Sequence, residues 1–173
     1  MLIKASIVNL SQDAFTLKRN HLDSGLQEIN HLFEAIERFS LEKGIIEPLL
    51  GKMKPAEDAR GGIGEAFGAY AEASVHPEDQ AAFLTFTDPM TLKERIEESG
   101  KGYIESLFRV RRRNGEYRWK AFSLLMIPGT GGSEYLLCRK AIPAEANAAL
   151  SKALGRRKTE RRHLRRMDEA IRG

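Results

Sequence analysis

Asn114-Gly115, set between two long runs of strand-forming residues, constrains this chain more than any other feature. Such a pair between apolar runs is the strongest short-range hairpin signal, because a two-residue type I′ turn needs positive φ at both central positions. Residues 103–113 (YIESLFRVRRR) read as one strand and 116–127 (EYRWKAFSLLMI) as its return. Pro128-Gly129-Thr130-Gly131-Gly132 is a second turn, and 134–142 (EYLLCRKAI) is a third strand. The result is a three-stranded meander. Tyr117 and Trp119 share one parity of the return strand, and Phe122, Leu124 and Met126 take the other. Both sheet faces are therefore partly apolar. One face packs against helices, and the other needs a cover, such as a flanking helix or a second subunit. The candidate dimer or cover face is that of Phe122, Leu124 and Met126.

The first half is less explicit. Ile3, Ala5 and Ile7 alternate with polar residues, as do Phe15 and Leu17, so residues 3–18 read as a hairpin turning at Ser11-Gln12-Asp13. Ser24 and Gln27 form a capping box. The helix they start carries Leu26, Ile29, Leu32, Phe33, Ile36 and Phe39 on one face and ends at Gly44. A short helical piece follows over 45–50. Residues 51–62 are poor in core formers and read as a loop, and 63–74 (IGEAFGAYAEAS) as a helix. His76-Pro77-Glu78-Asp79 and Asp88-Pro89 read as helix starts, with proline at the first helical position and acids in the first turn. Pro143 ends the third strand. Residues 144–172 read as a helix with Leu150, Ala153, Leu154, Leu164, Met167 and Ile171 near one side. The fold class is α+β: one body over 1–143 and a basic helical linker or signalling helix over 144–173.

Charge separates these two parts. The 173 residues carry 28 Lys/Arg and 24 Asp/Glu. Residues 144–173 hold nine of the former and four of the latter, a surplus of +5, which leaves 19 against 20, or −1, for the body. Nucleic-acid binding would thus rest on the tail, through Arg156, Arg157, Lys158, Arg161, Arg162, Arg165 and Arg166. No aromatic residue interleaves them for base stacking. A linker or signalling role is the favoured reading, and a nucleic-acid-associated regulator is the alternative. One cysteine excludes a disulfide framework within the chain. No apolar run approaches the roughly 20 residues that span a bilayer, and the N-terminus lacks a signal-peptide pattern. A cytoplasmic location is expected.

Catalytic and metal signatures are weak. Gly131-Gly132-Ser133-Glu134-Tyr135 approaches the Gly-Gly-Asp-Glu-Phe pattern of diguanylate cyclases, but Ser133 stands where a metal-binding carboxylate is needed. Residues 62–68 (GIGEAFG) miss the dinucleotide spacing and follow no strand. His21, His31, His76 and His163 show no metal-ligand spacing, and no nucleophile elbow occurs. We expect no catalytic activity and no metal. Phe33, Phe67, Tyr70, Phe83, Phe108, Tyr117, Trp119 and Tyr135 are the candidate lining of a pocket between helices and sheet, although plain core packing is the commoner use of such residues.

Residues 75–79 (VHPED) together with 108–119 (FRVRRRNGEYRW) resemble the C-terminal half of a PAS sensory domain, most closely those placed before diguanylate cyclase (GGDEF) domains. The likeness is good over about 75–142 and weak before it. It implies a PAS-like five-stranded antiparallel sheet with helices on one face, a small-molecule pocket between them, and output through a C-terminal helix. The apolar second face of the return strand leads us to expect a homodimer, and the output is expected either in a further domain of a larger sensor or in a separate partner protein. Some PAS proteins bind haem through a helix histidine, but His76 sits where ordinary helix punctuation is expected. Photoreactive flavin cysteines lie in an Asn-Cys-Arg motif, whereas Cys138 lies mid-strand. Neither haem nor covalent flavin is expected, and the ligand is not identified. The family's Asp-x-Thr-like junction after the last strand is replaced by Arg139-Lys140-Ala141-Ile142-Pro143.

Overall fold

The computed structural model describes residues 32–51 and 62–172. Its elements in chain order are β1 (Ala35–Ser40), β2 (Ile45–Leu50), α1 (Ile63–Ser74), a 3₁₀ turn (Pro77–Asp79), α2 (Gln80–Phe86), α3 (Leu92–Glu98), β3 (Tyr103–Arg111), β4 (Tyr117–Met126), β5 (Glu134–Ala141) and α4 (Ala144–Arg172). The strands form one antiparallel sheet in the order β2-β1-β5-β4-β3. The C-terminal meander thus lies side by side as expected, and β5 pairs with β1 at the centre.

The first two strands correct the sequence reading. Residues 35–40 and 45–50 are strands, where a helix end and a short helical piece were expected. Ala35, Glu37 and Phe39 alternate toward the core. Phe39 is fully buried between Phe67 and Tyr135. Pro48 lacks the N–H that a helix interior needs and fits β2, an edge strand. Gly44, at φ 67, turns the β1–β2 hairpin rather than capping a helix. The expected hairpin over 3–18 and the capping box at Ser24 lie outside the described residues, as does most of the 51–62 loop.

Gly51 closes this hairpin's far end at φ 56, and a Cβ there would stand 2.3 Å from the Glu34 carbonyl oxygen. Gly51→Ala should therefore destabilise the fold by about 1–3 kcal/mol through left-handed strain and backbone clash. A thermal melt unchanged from wild type would contradict this.

The Asn114-Gly115 turn is also built differently. Only glycines have positive φ among the described residues, so Asn114 does not, and type I′ is excluded. Gly115 (φ 86) donates its N–H to Arg112 O at 3.0 Å, and Arg112 N–H reaches Glu116 O at 2.7 Å. This is a three-residue loop with a left-handed glycine at the bulge position. Asn114 contributes its side chain instead, accepting from Glu116 N–H at 3.2 Å.

The core lies between the sheet and α1–α3. Phe83 meets Tyr70, Phe108 and Phe122 at centroid distances of 5.2–5.5 Å. Leu92 and Ile96 of α3 and Val75 are also fully buried in this cluster. Phe122 and Leu124 are fully buried here too, and Met126 packs against it. The two faces of β4 are thus exchanged relative to the sequence reading. Phe122, Leu124 and Met126 face the helices. Trp119, Ala121, Ser123 and Leu125 share the outer parity. The reason is the ring of aromatic partners: α1 and α2 present Phe67, Tyr70, Phe83 and Phe86, and only the Phe122 parity of β4 meets Phe108 across the sheet.

Candidate functional site

Segment 75–79 covers the exposed edge of β3. Val75 bridges Val110, and His76 N–H donates to Arg109 O at 2.8 Å. His76 caps the 3₁₀ turn, its Nδ1 accepting from Glu78 N–H at 3.2 Å, and its ring packs edge-on against Tyr117 at 4.7 Å. The helix-punctuation reading of His-Pro-Glu-Asp is what the geometry shows. Burial, and then the neighbouring Arg109, hold the His76 imidazole below its ordinary pKa.

Arg109 organises this edge. Its guanidinium donates to both Asp79 oxygens, at 2.8 and 2.6 Å, and to Glu78 Oε2 at 3.0 Å. Its backbone N–H donates to Asp79 as well. It also lies over the Trp119 ring, 5.3 Å from the centroid. Burial alone would raise the Asp79 pKa, but the Arg109 side-chain and backbone bonds reverse that and hold it low.

The C-terminal helix α4 leaves β5 through Pro143 and fastens to the outer face at two points. Near its start, Asn147 Oδ1 accepts from Trp119 N–H at 2.8 Å while its Nδ2 donates to Ile142 O at 2.9 Å. One turn on, Leu150, Ala153, Leu154 and Arg157 wall a cleft of about 200 Å³ against Trp119. Further along, Lys158 donates to both Glu78 oxygens at 2.7 Å. Glu78 therefore joins Arg109 of the sheet to Lys158 of the helix. Lys158, then Arg109, pull its carboxyl down to about 2. The Trp119 indole N–H is buried beneath the helix with no acceptor, a cost to the packed arrangement.

A folded pKa below the unfolded value gives stability that is present above about 4.5 and lost as pH falls through the folded value. The Lys158–Glu78 link should therefore weaken between about pH 4.5 and 2. High salt should weaken it at neutral pH, because the pair is half-exposed. Asp79, Arg109 and His76 share this edge, so Glu78→Gln is the control that isolates the link. A tryptophan emission titration that is identical in wild type and Glu78→Gln would contradict the assignment.

A second polar group lies at the margin of the helix-covered face, with Tyr70 buried and Glu34 exposed. The Tyr70 phenol oxygen accepts from Arg139 Nη1 at 3.1 Å. Arg139 Nε stands 3.5 Å from Glu34 Oε2, an ion pair without hydrogen-bond geometry. Glu34 also accepts from Lys120. Glu37, 4% exposed, lies near enough for its charge to act on Tyr70. Burial is the main cause raising the Tyr70 pKa. Two acids, two cations and a phenol thus gather beside the aromatic core. Apart from this group, toward the other end of β5, Tyr135 carries a buried hydroxyl without a hydrogen-bond partner.

Of the predicted pocket residues, the structure gathers Phe67, Tyr70, Phe83, Phe108 and Tyr135 in one cluster. Phe33 is half-buried and outside it. Tyr117 and Trp119 lie on the opposite face. Cys138 is buried, and burial pushes its thiol up to about 11, so it is not a poised nucleophile. The Arg139–Glu34–Lys120 group is not evident in the sequence; charged residues at the inward strand positions 120 and 139 are the available signal. Among the described residues no group of three or more His, Cys, Asp or Glu could hold a metal, and no helix is long and apolar enough to cross a membrane.

No protein-family model matches the chain, and no curated protein matches it. Solved structures similar to it include the following three. A sensory box histidine kinase/response regulator from Burkholderia thailandensis E264 is 18% identical, over 76% of this chain and 90% of that one, with a TM-score of 0.38. A light-oxygen-voltage domain studied with a flavin analogue is 13% identical, over 79% and 96%, at 0.39. The PAS domain of an HTR-like protein from Haloarcula marismortui is 15% identical, over 73% and 99%, at 0.34. By its own strand order and the helices laid on one face of the sheet, the chain has the PAS-like fold.

Proposed function

We propose that the chain is a non-catalytic sensory or regulatory module that passes a conformational change to its C-terminal helix. The carrying observation is the attachment of α4. It starts directly from the central strand β5 and is held by Asn147 at Trp119 and by Lys158 at Glu78. These favourable contacts are opposed by the buried indole N–H, which has no hydrogen-bond partner. A contact of this kind can be biased by a ligand with different affinities for the attached and released helix. The Tyr70–Arg139–Glu34–Lys120 group, which runs from the core to the surface, is the place where a small polar ligand would act, because Arg139 belongs to the strand that feeds α4. Output would pass to a domain or partner joined at that helix. A diguanylate cyclase is the case the sequence likeness favours; we keep a homodimer as the assembly, formed through a surface other than the Phe122–Leu124–Met126 face, which is core.

Hydrogen–deuterium exchange tests this. The reading expects α4 to open at a lower free energy than β3–β5, and Asn147→Ala to lower it further. Exchange of α4 only through global unfolding would mean that no independent switching element exists.

A further inference from the structure

We propose that the β3–β4 hairpin tip and the second half of α4 form one composite surface for the phosphate backbone of a nucleic-acid duplex. The sequence alone confined positive charge to the tail, but the fold brings a second basic group beside it. Arg111, Arg112 and Arg113 are exposed at the hairpin tip, and Arg156, Arg157, Arg161, Arg162 and Arg165 are exposed on α4. None of these eight side chains has an ion pair among the described residues. Lys158 and Arg109, by contrast, are held by Glu78 and Asp79. The only acids within 111–116 and 156–165 are Glu116 and Glu160.

The two groups meet at Trp119. Arg157 lines the cleft over that ring. Trp119 pairs with Arg109, and two residues along the strand Tyr117 pairs with Arg111, a step of about 7 Å. Arg157, Arg161 and Arg165 are four residues apart and so follow one side of the helix onward from the Trp119 cleft, which Arg157 lines. The unpaired arginines of helix and hairpin thus border one region.

A duplex is the occupant this chemistry suits. Residues 155–163 (GRRKTERRH) contain no apolar side chain, whereas a helix that lies in a membrane surface needs an apolar face beside its basic one. Single strands are held on aromatic platforms, and the nearest ring at the tip, Tyr117, is packed against His76. Rows of phosphate require only spaced cations, and arginine meets them with a bidentate fork. The proposal stands independently of the sensory reading.

The test is fluorescence anisotropy of a short labelled DNA duplex with the full chain, from about 50 to 200 mM salt. Binding should weaken steeply with salt. Arg111→Gln/Arg112→Gln/Arg113→Gln and Arg157→Gln/Arg161→Gln/Arg165→Gln should each weaken it at least about tenfold and flatten the log–log salt slope by up to about 3. Far-UV circular dichroism confirms that both variants stay folded. The proposal is overturned by no duplex binding at about 50 mM salt, by a hairpin variant that binds with the wild-type slope, or by preference for phosphatidylglycerol vesicles over duplex.

Discussion

Phe122→Ala should destabilise the protein by about 3–5 kcal/mol, as expected when a fully enclosed aromatic ring is deleted. Phe122 is 0% exposed, and its ring meets those of Tyr70, Phe83 and Phe108 at 6.4, 5.5 and 5.7 Å. It links α1, α2 and β3 through one side chain, so surrounding groups cannot collapse into the space without moving two helices. Urea unfolding should show a lower midpoint with an unchanged m-value. The same substitution separates the two assignments of β4's faces. On an exposed dimer face it would shift association and leave monomer stability nearly intact. A loss below about 1 kcal/mol would restore that assignment.

The second large effect is expected at Arg109. Its side chain is 12% exposed, that of Asp79 is 15%, and the two form a bidentate pair. Arg109→Ala leaves Asp79 with the backbone N–H of residue 109 alone and removes the cation over Trp119. The cost should be about 2–3 kcal/mol at neutral pH, below that of a fully buried pair because Glu78 remains half-exposed. Arg109→Lys should recover only part of it, since an ammonium cannot serve both Asp79 oxygens in the plane of a fork. Both carboxylates have depressed pKa values, so their stabilisation is full above the ordinary carboxylate range and falls as pH drops toward 2. The difference between wild type and Arg109→Ala should shrink accordingly in acid. Chemical denaturation at pH 7 and at about pH 3 checks this. A pH-independent difference would show that Arg109 acts by packing alone.

The legible half of the fold was the half with local signals. The C-terminal strands alternate over eight or more residues and are separated by glycine turns, so 103–142 could be read without tertiary knowledge. Residues 35–40 could not. Ile36 and Phe39 fit a helical face when counted with Leu32 and Phe33, and only pairing with β5, some hundred residues away, makes Ala35, Glu37 and Phe39 the buried set. Period alone does not separate the two over six residues. The faces of β4 failed for a related reason. Its parity switches from Trp119 to Phe122, and which parity is inside depends on helices whose orientation is not local information. The asparagine of the hairpin was read as a backbone specialist but serves through its side chain. At the α4 attachment, Trp119 was visible as a candidate, yet Asn147, Lys158 and Glu78 are ordinary helix-surface residues. Only their convergence gives them a role.

Trp119 is the chain's one tryptophan, so its emission reports on the contact the whole account depends on. The decisive measurement is acrylamide quenching of Trp119 in the full chain, compared with Leu150→Asp/Leu154→Asp, which places two charges in the cleft wall. The wild type should show a shielded, blue-shifted indole. In the variant it should be red-shifted and several-fold more quenchable, with far-UV circular dichroism of the sheet retained. Equal quenching of the two proteins would mean that α4 does not cover Trp119 and that the output route proposed here is wrong.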